Sequence, residues 1–226
     1  DESKPGNYVY FIRKYDRDYL TLEITNKFFF TSKDICHNIR RDYKRFNEKP
    51  QITYDNYKSE YNHSINRDNT TLSEKSLALK HYEACRLIST MDIDYALVIE
   101  DDCVFAPDFI TTLNNLMKEF PDDWNLYILN STPRPGFKTH HGHIKLENTN
   151  KIFIKNAPNT VFGVSYLVSK IAANRIAKEI EENKIWSAID HEFNWIFFKL
   201  KLIVLWNDRH KPLTYWGQSG FKSSIR

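Results

Sequence analysis

Tyr95-Ala96-Leu97-Val98-Ile99-Glu100-Asp101-Asp102 is the stretch whose reading decides the fold. Five apolar residues in succession read as a short strand buried on both faces. The strand ends directly in three carboxylates. Upstream, Leu72, Leu79, Tyr82, Leu87 and Ile88 fall at helical spacing from Thr71 onward, with Ser73 as the expected cap. Downstream, Pro107 and Asp108 open a second helix through about Glu119, with Phe109, Leu113 and Leu116 facing inward. Pro121-Asp122-Asp123 breaks it, and Trp124 to Leu129 reads as the next strand. Strands alternating with helices predict one α/β domain, a mostly parallel central sheet flanked by helices. In such sheets ligands bind outside the carboxyl ends of the strands, which is where Glu100-Asp101-Asp102 falls.

The rest of the chain extends the same pattern. Tyr8 to Ile12 is a β-branched and aromatic run that predicts a first strand, and polar residues from Arg13 follow it. Phe28 to Phe30 is apolar and meets Thr31-Ser32-Lys33-Asp34, a helix cap ahead of Ile35. Residues 47–69 are rich in Asn, Tyr, Asp and Ser and read as a long surface loop. Residues 130–150, with His140, His141 and His143, read as an irregular loop. Strands are expected at about 151–155 and 160–168. A helix from Ser169 to about Glu182 would put Ile171, Ile176 and Ile180 on one face. A further helix is expected from Ser187 to Phe198, then a buried strand from Lys201 to Trp206, then a loop-like tail from Asn207.

Composition sets limits on function. The 226 residues are 41% hydrophobic and 27% charged, enough apolar surface for a packed domain rather than a disordered chain. Thirty-two basic residues against 29 acidic ones leave a net charge of +3. No basic stripe of the kind that neutralises nucleic-acid phosphates is present. Cys36, Cys85 and Cys103 are scattered, odd in number and without a CxxC pair, which argues against a disulfide framework or structural zinc site. No run of about twenty apolar residues exists, and no signal peptide opens the sequence. The expectation is a soluble, cytoplasmic chain without a transmembrane segment.

Three adjacent carboxylates repel one another and lose hydration at the end of a buried strand, so their pKa values should rise. A divalent cation relieves that strain, and hard oxygen ligands suit Mn2+ or Mg2+. Strand alternation would put Glu100 and Asp102 on one side and Asp101 on the other. On this reading Asp102 holds the metal, and Glu100 or Asp101 bonds ribose or structures the turn. A capped turn ahead of the Pro107 helix is the alternative for this feature alone.

Several segments resemble glycosyltransferase family 25. They are Leu72 to Ala84, Tyr95 to Asp102, Phe105 to Phe109, Pro121 to Trp124, Ile189-Asp190-His191-Glu192-Phe193-Asn194, and the closing Trp216 to Ile225. The resemblance runs from about Thr71 to the C-terminus. Two departures stand out: Cys103 follows the acidic run where the family usually has Val, and Ile12-Arg13-Lys14-Tyr15 stands where an Asn-Leu-Asp-Arg type of segment is usual. The resemblance implies a GT-A (Rossmann-like) fold, a nucleotide-sugar donor, a DxD-type metal motif and inversion at the anomeric carbon. A single domain over 1–226 would then divide into a nucleotide-binding half, about 1–105, and an acceptor-binding half, about 106–226.

Site residues follow from that implication. Asp190 is the expected base that accepts the proton of the acceptor hydroxyl. A helix N-cap is its structural alternative, and Glu192 is expected to face solvent. Lys80, with Arg13 as another candidate, would meet donor phosphate or nucleotide, and His81 would bond the same ligand or fix its helix. His210 is a candidate further metal ligand. Gln218 would belong to a tail that closes over donor phosphate or sugar and excludes water. The predicted partners are a nucleotide sugar, UDP-linked by resemblance, and a glycan or glycoprotein acceptor. An inactive sugar- or nucleotide-binding module and a metal-dependent phosphoesterase are the competing readings.

Overall fold

A computed structural model describes residues 9–29, 70–129, 143–145, 152–155, 165–185, 188–206 and 213–216. Helix α1 (Leu22–Phe28) precedes the long helix α2 (Leu72–Thr90), which leads into β1 (Tyr95–Ile99). A turn then gives β2 (Cys103–Phe105), α3 (Phe109–Met117) and β3 (Leu126–Ile128). Next come β4 (His143–Lys145), β5 (Ile152–Lys155) and β6 (Ser165–Ser169). The order closes with α4 (Lys170–Asn183), α5 (Ile189–Leu200), β7 (Ile203–Trp206) and β8 (Thr214–Trp216).

The α/β class holds, but the sheet is mixed rather than mostly parallel. Its order is β1-β6-β3-β7-β5-β4, and among the described strands only β3 and β7 pair in parallel. A helical crossover dictates that β1 and β3 point the same way; it does not dictate that they touch. Here β6 lies between them, antiparallel to both, with Ile99 opposite Ser165 and Ile128 opposite Tyr166. The carboxyl ends of β1, β3 and β7 still share one edge of the sheet, and β6 begins at that edge. The placement rule for ligands therefore survives the change in topology.

Alternation along the central strands sorts the core into two layers. Leu126, Ile128, Tyr166, Val168 and Val204 pack with Leu79, Ile88, Ile176, Ile180 and Phe193 of α2, α4 and α5. Tyr127, Leu167 and Leu205 point the other way, against Phe109 and Leu113 of α3 and against Leu213. In α4, Ile176 and Ile180 are buried as expected, whereas Ile171 is 70% exposed. It sits in the first turn, where Ala172 and Ala173 face the core instead.

Helix α2 is capped two residues earlier than its sequence suggests. Thr71, not Ser73, is the cap: its Oγ1 accepts from Glu74 N at 3.2 Å, and its own N donates to the Glu74 carboxylate at 2.8 Å. This reciprocal pair satisfies two amides that the first turn leaves orphaned. Thr71→Ala should cost about 1 kcal/mol, read as a lower urea midpoint at unchanged m-value.

Two strand expectations need correction. Among the described strands β1 is at the end of the sheet order, and Tyr95 and Ile99 are each 46% exposed, so its faces are not both covered. A short apolar run reports fitness for a pleated surface, not the number of neighbours it will have. Of the predicted first strand, Tyr8 lies outside the described residues, and 9–12 form no strand, with Val9 and Phe11 exposed. The chain is anchored just afterwards, where buried Tyr15 accepts a hydrogen bond from Ser76 of α2 at 2.6 Å. The predicted cap before Ile35 and the 47–69 loop lie outside the described residues. Within the expected 130–150 loop, His143–Lys145 forms β4; His140 and His141 lie outside the described residues.

Candidate active site

The acidic run does not continue β1 as a strand. Cys103 N donates to Glu100 O at 3.2 Å, closing a turn over Glu100 to Cys103. The turn leaves Asp101 exposed and Glu100 and Asp102 half-buried, so the side-by-side partition arises from the turn and not from strand alternation. Asp102 Oδ1 is buried without a hydrogen-bond partner among the described residues. Burial first, then the charges of Glu100 and Asp101, raise the Asp102 carboxyl above its ordinary range. An orphaned carboxylate oxygen inside a cluster of like charge is the environment that a hard cation relieves. The described residues contain no group of three His, Cys, Asp or Glu side chains able to hold a metal. His210, the other candidate ligand, lies outside them.

Asp190 reaches the same edge from α5. It is the second residue of the helix, inside the first turn, so it is not the N-cap. The residue keeps partial exposure, but protein fills most of the space around its carboxyl, and desolvation raises its pKa to about 7. Glu100 adds to the rise, His81 opposes it and Glu74 adds a smaller increment. These couplings bring Glu100, His81 and Asp190 within electrostatic reach of one another, from β1, α2 and α5. Glu192, expected to face solvent, is buried at 2% exposure. Positions 190 and 192 both face protein because the first turn of α5 is covered on more than one side. Glu192 is the more enclosed of the two carboxyls, while Asp190 keeps contact with solvent.

His81 lies at the centre of this arrangement. It is buried on α2, with Nδ1 3.0 Å from the Tyr166 hydroxyl and Nε2 3.5 Å from Glu100 Oε1. Its ring stacks on Tyr166 and meets the Phe193 ring edge-on. Local spacing marks His81 only weakly and Tyr166 not at all, because the pair meets across 85 residues of sequence.

Lys80, one residue away, turns outward and ion-pairs with Asp16 in the segment after the predicted first strand. Arg13 is exposed, and its carbonyl accepts from Asp16 N at 3.1 Å. The structure thus brings Lys80 to the chain segment that carries Arg13, while neither is joined to the acidic turn by a described contact. Gln218 lies outside the described residues.

Part of the expected tail loop is the strand β8, which pairs with β2 directly after the acidic turn. Thr214 Oγ1 and Ser165 Oγ are 2.5 Å apart and buried, and the Cys103 thiol bonds to both. These contacts tie the tail, the start of β6 and the acidic turn into one floor. Of the expected reduced thiols, Cys85 is fully buried and Cys103 half-buried, while Cys36 lies outside the described residues.

A comparison with individually curated proteins gives no match. The family model described as "Glycosyltransferase family 25 (LPS biosynthesis protein)" matches residues 30–192, well over half of the sequence. That span begins upstream of Thr71 and stops short of the Trp216 to Ile225 segment. It takes in Lys80, Glu100, Asp101, Asp102 and Asp190 and leaves out Arg13, His210 and Gln218. With order, spacing and the acidic turn all inside the matched residues, the chain belongs to glycosyltransferase family 25.

Proposed function

We propose that this chain moves a sugar from a nucleotide-sugar donor, UDP-linked, to a hydroxyl of a glycan or glycoprotein acceptor, with inversion and dependence on a divalent metal. The observation that carries the reading is the approach of Asp190 to the acidic turn, with a carboxyl poised near neutral pH. Inverting transfer needs a base on one side of the sugar and charge stabilisation on the other. Asp190 accepts the acceptor's proton. Asp102, through its orphaned oxygen, holds Mn2+ or Mg2+, with His210 as a further candidate ligand. A bound cation would neutralise charge on the leaving diphosphate. Glu100 and Asp101 bond the ribose or shape the turn. Lys80 and Arg13, in a nucleotide-binding half of about 1–105, and Gln218 in the tail would meet the donor's phosphate, nucleotide or sugar.

No helix among the described residues is long and apolar enough to cross a membrane.

A panel of nucleotide sugars with manganese tests the reading directly. One donor should raise the melting temperature, because a ligand of the native state stabilises it by mass action, and should be slowly hydrolysed when no acceptor is present. Binding of nucleotide sugar without any turnover, across a range of acceptors, would favour a non-catalytic module. Phosphoester cleavage without sugar transfer would overturn the proposal.

A further inference from the structure

The hydrogen-bonding capacities around His81 constrain where its proton sits. Burial keeps the Tyr166 hydroxyl protonated, with a pKa well above its ordinary value. Burial likewise pushes the Cys85 thiol up to about 12, and that thiol bonds to the same hydroxyl. Tyr166 has a single proton to give, and both Cys85 and His81 Nδ1, on residues 0% and 6% exposed, lie against its hydroxyl. On the other side of the ring, Glu100 presents a carboxylate oxygen, which only accepts when ionised. A bare Nε2 lone pair facing that oxygen would be repulsive. Two arrangements satisfy these groups, and both put a proton on Nε2: a neutral ring accepts the Tyr166 proton at Nδ1, and a cationic ring donates from Nδ1 to the Tyr166 oxygen and leaves the Tyr166 proton to Cys85.

We propose that His81 is a positioning residue for the acidic turn, with Tyr166 fixing its ring so that Nε2–H is held against the Glu100 carboxylate. The Nε2 to Oε1 separation of 3.5 Å is long for a hydrogen bond, and such contacts in ligand-free sites tighten when substrate is bound. Stacking on Tyr166 and the edge of Phe193 keep the ring from turning. Glu100 is thereby tied to the rigid centre of α2 and to β6, although it belongs to a turn. A ligand group supported in this manner is more reproducibly placed than one left to a loop.

The tautomer is tested without any assay of activity. In the full chain carrying 15N-labelled histidine, the signal lost on His81→Asn identifies this ring among the eight histidines. A proton on Nε2 is the expected result. An Nε2 without a proton, the Nδ1–H tautomer, overturns the proposal. Tyr166→Phe should move the Nδ1 signal while the chain stays folded, and an unmoved signal would also overturn it.

The second arm is kinetic and rests on the proposed transfer reaction. His81→Asn should lower kcat/KM for the nucleotide sugar by about tenfold or more. His81→Gln, whose amide can reach the Nε2 position, should recover most of that loss. Glu100→Gln should cost a similar factor, and adding His81→Asn to it should cost little more, because the two act as one unit. Additive losses, or equal losses for Asn and Gln at matched melting temperature, would sink the positioning role. Absence of turnover in the unmodified chain would count against the transferase reading alone, since the tautomer measurement stands independently.

Discussion

Asp190→Asn is expected to remove turnover and, above neutral pH, to make the folded chain more stable. The two effects share one cause. Burial, reinforced by Glu100, opposed by His81 and added to by Glu74, raises the Asp190 carboxyl to about 7. An unfolded Asp titrates near 3.9. Below about pH 4 both states hold the proton, and the group contributes nothing to the pH dependence. Between there and about 7 the folded chain retains a proton that the unfolded chain has lost, so stability falls as pH rises. Above that window both states are ionised, and the folded state carries the full cost of a buried charge, of order 4 kcal/mol. Asparagine has no charge to bury, so its stability profile should be flat where the parent's declines.

Catalysis follows the opposite course. A base must be ionised to accept a proton, so the rate should climb with pH through about 7. Loss of a general base costs about 10²–10⁴ in rate. Donor binding should persist in the variant, because the amide keeps the side chain's shape. Chemical denaturation at several pH values, set beside kcat on the same samples, measures both. Retained turnover would place the base elsewhere, and an unchanged pH slope of stability would contradict the burial of this carboxyl. Such a group is maintained at a cost in stability, the pattern of a site selected for function.

Asp102→Ala should lose metal response without loss of the fold. The parent's Oδ1 is buried without a described partner, and its carboxyl is strained by burial, then by Glu100 and Asp101. Removing it deletes a repulsive group, so the apo melting temperature should not fall. In the parent, manganese at about 100 times its dissociation constant adds roughly 2.7 kcal/mol, a shift of several degrees for a chain of this size. That shift should vanish in the variant, and transfer should drop by about 100-fold or more, the upper end of what disturbing a metal's outer shell already costs. A variant that keeps its manganese shift would remove Asp102 from the metal site. A parent with no shift at all would count against metal dependence itself.

The acidic stretch and its flanking helices could be read from sequence because their signals are local. Helical spacing from Leu72 to Ile88, the apolar run Tyr95 to Ile99 and the break at Pro121 each lie within one element, and the structure places α2, β1 and the end of α3 accordingly. Asp190 was singled out on resemblance, and the structure brings it into the field of the acidic turn. The expectation for Glu192 failed because helical periodicity names faces, whereas burial depends on what packs against each face. Ile171 failed for the same reason, with two alanines of the first turn taking the inward positions.

What the sequence by itself determined was the helices α2 to α5, the strands β1, β3 and β5 to β7, the α/β class, the family and the carboxylates at the end of β1. Those follow from short-range periodicity and from residue types at fixed spacing. Only the tertiary structure decided that β6 separates β1 from β3, and that β8 folds back onto β2 beside the acidic turn. It also decided that His81 stands between Tyr166 and Glu100. Pairing partners and side-chain contacts between residues far apart in sequence depend on the competition of many packing arrangements. No single segment carries the outcome of that competition, so the edge on which the site is built is local in sequence, while the network that holds it is not.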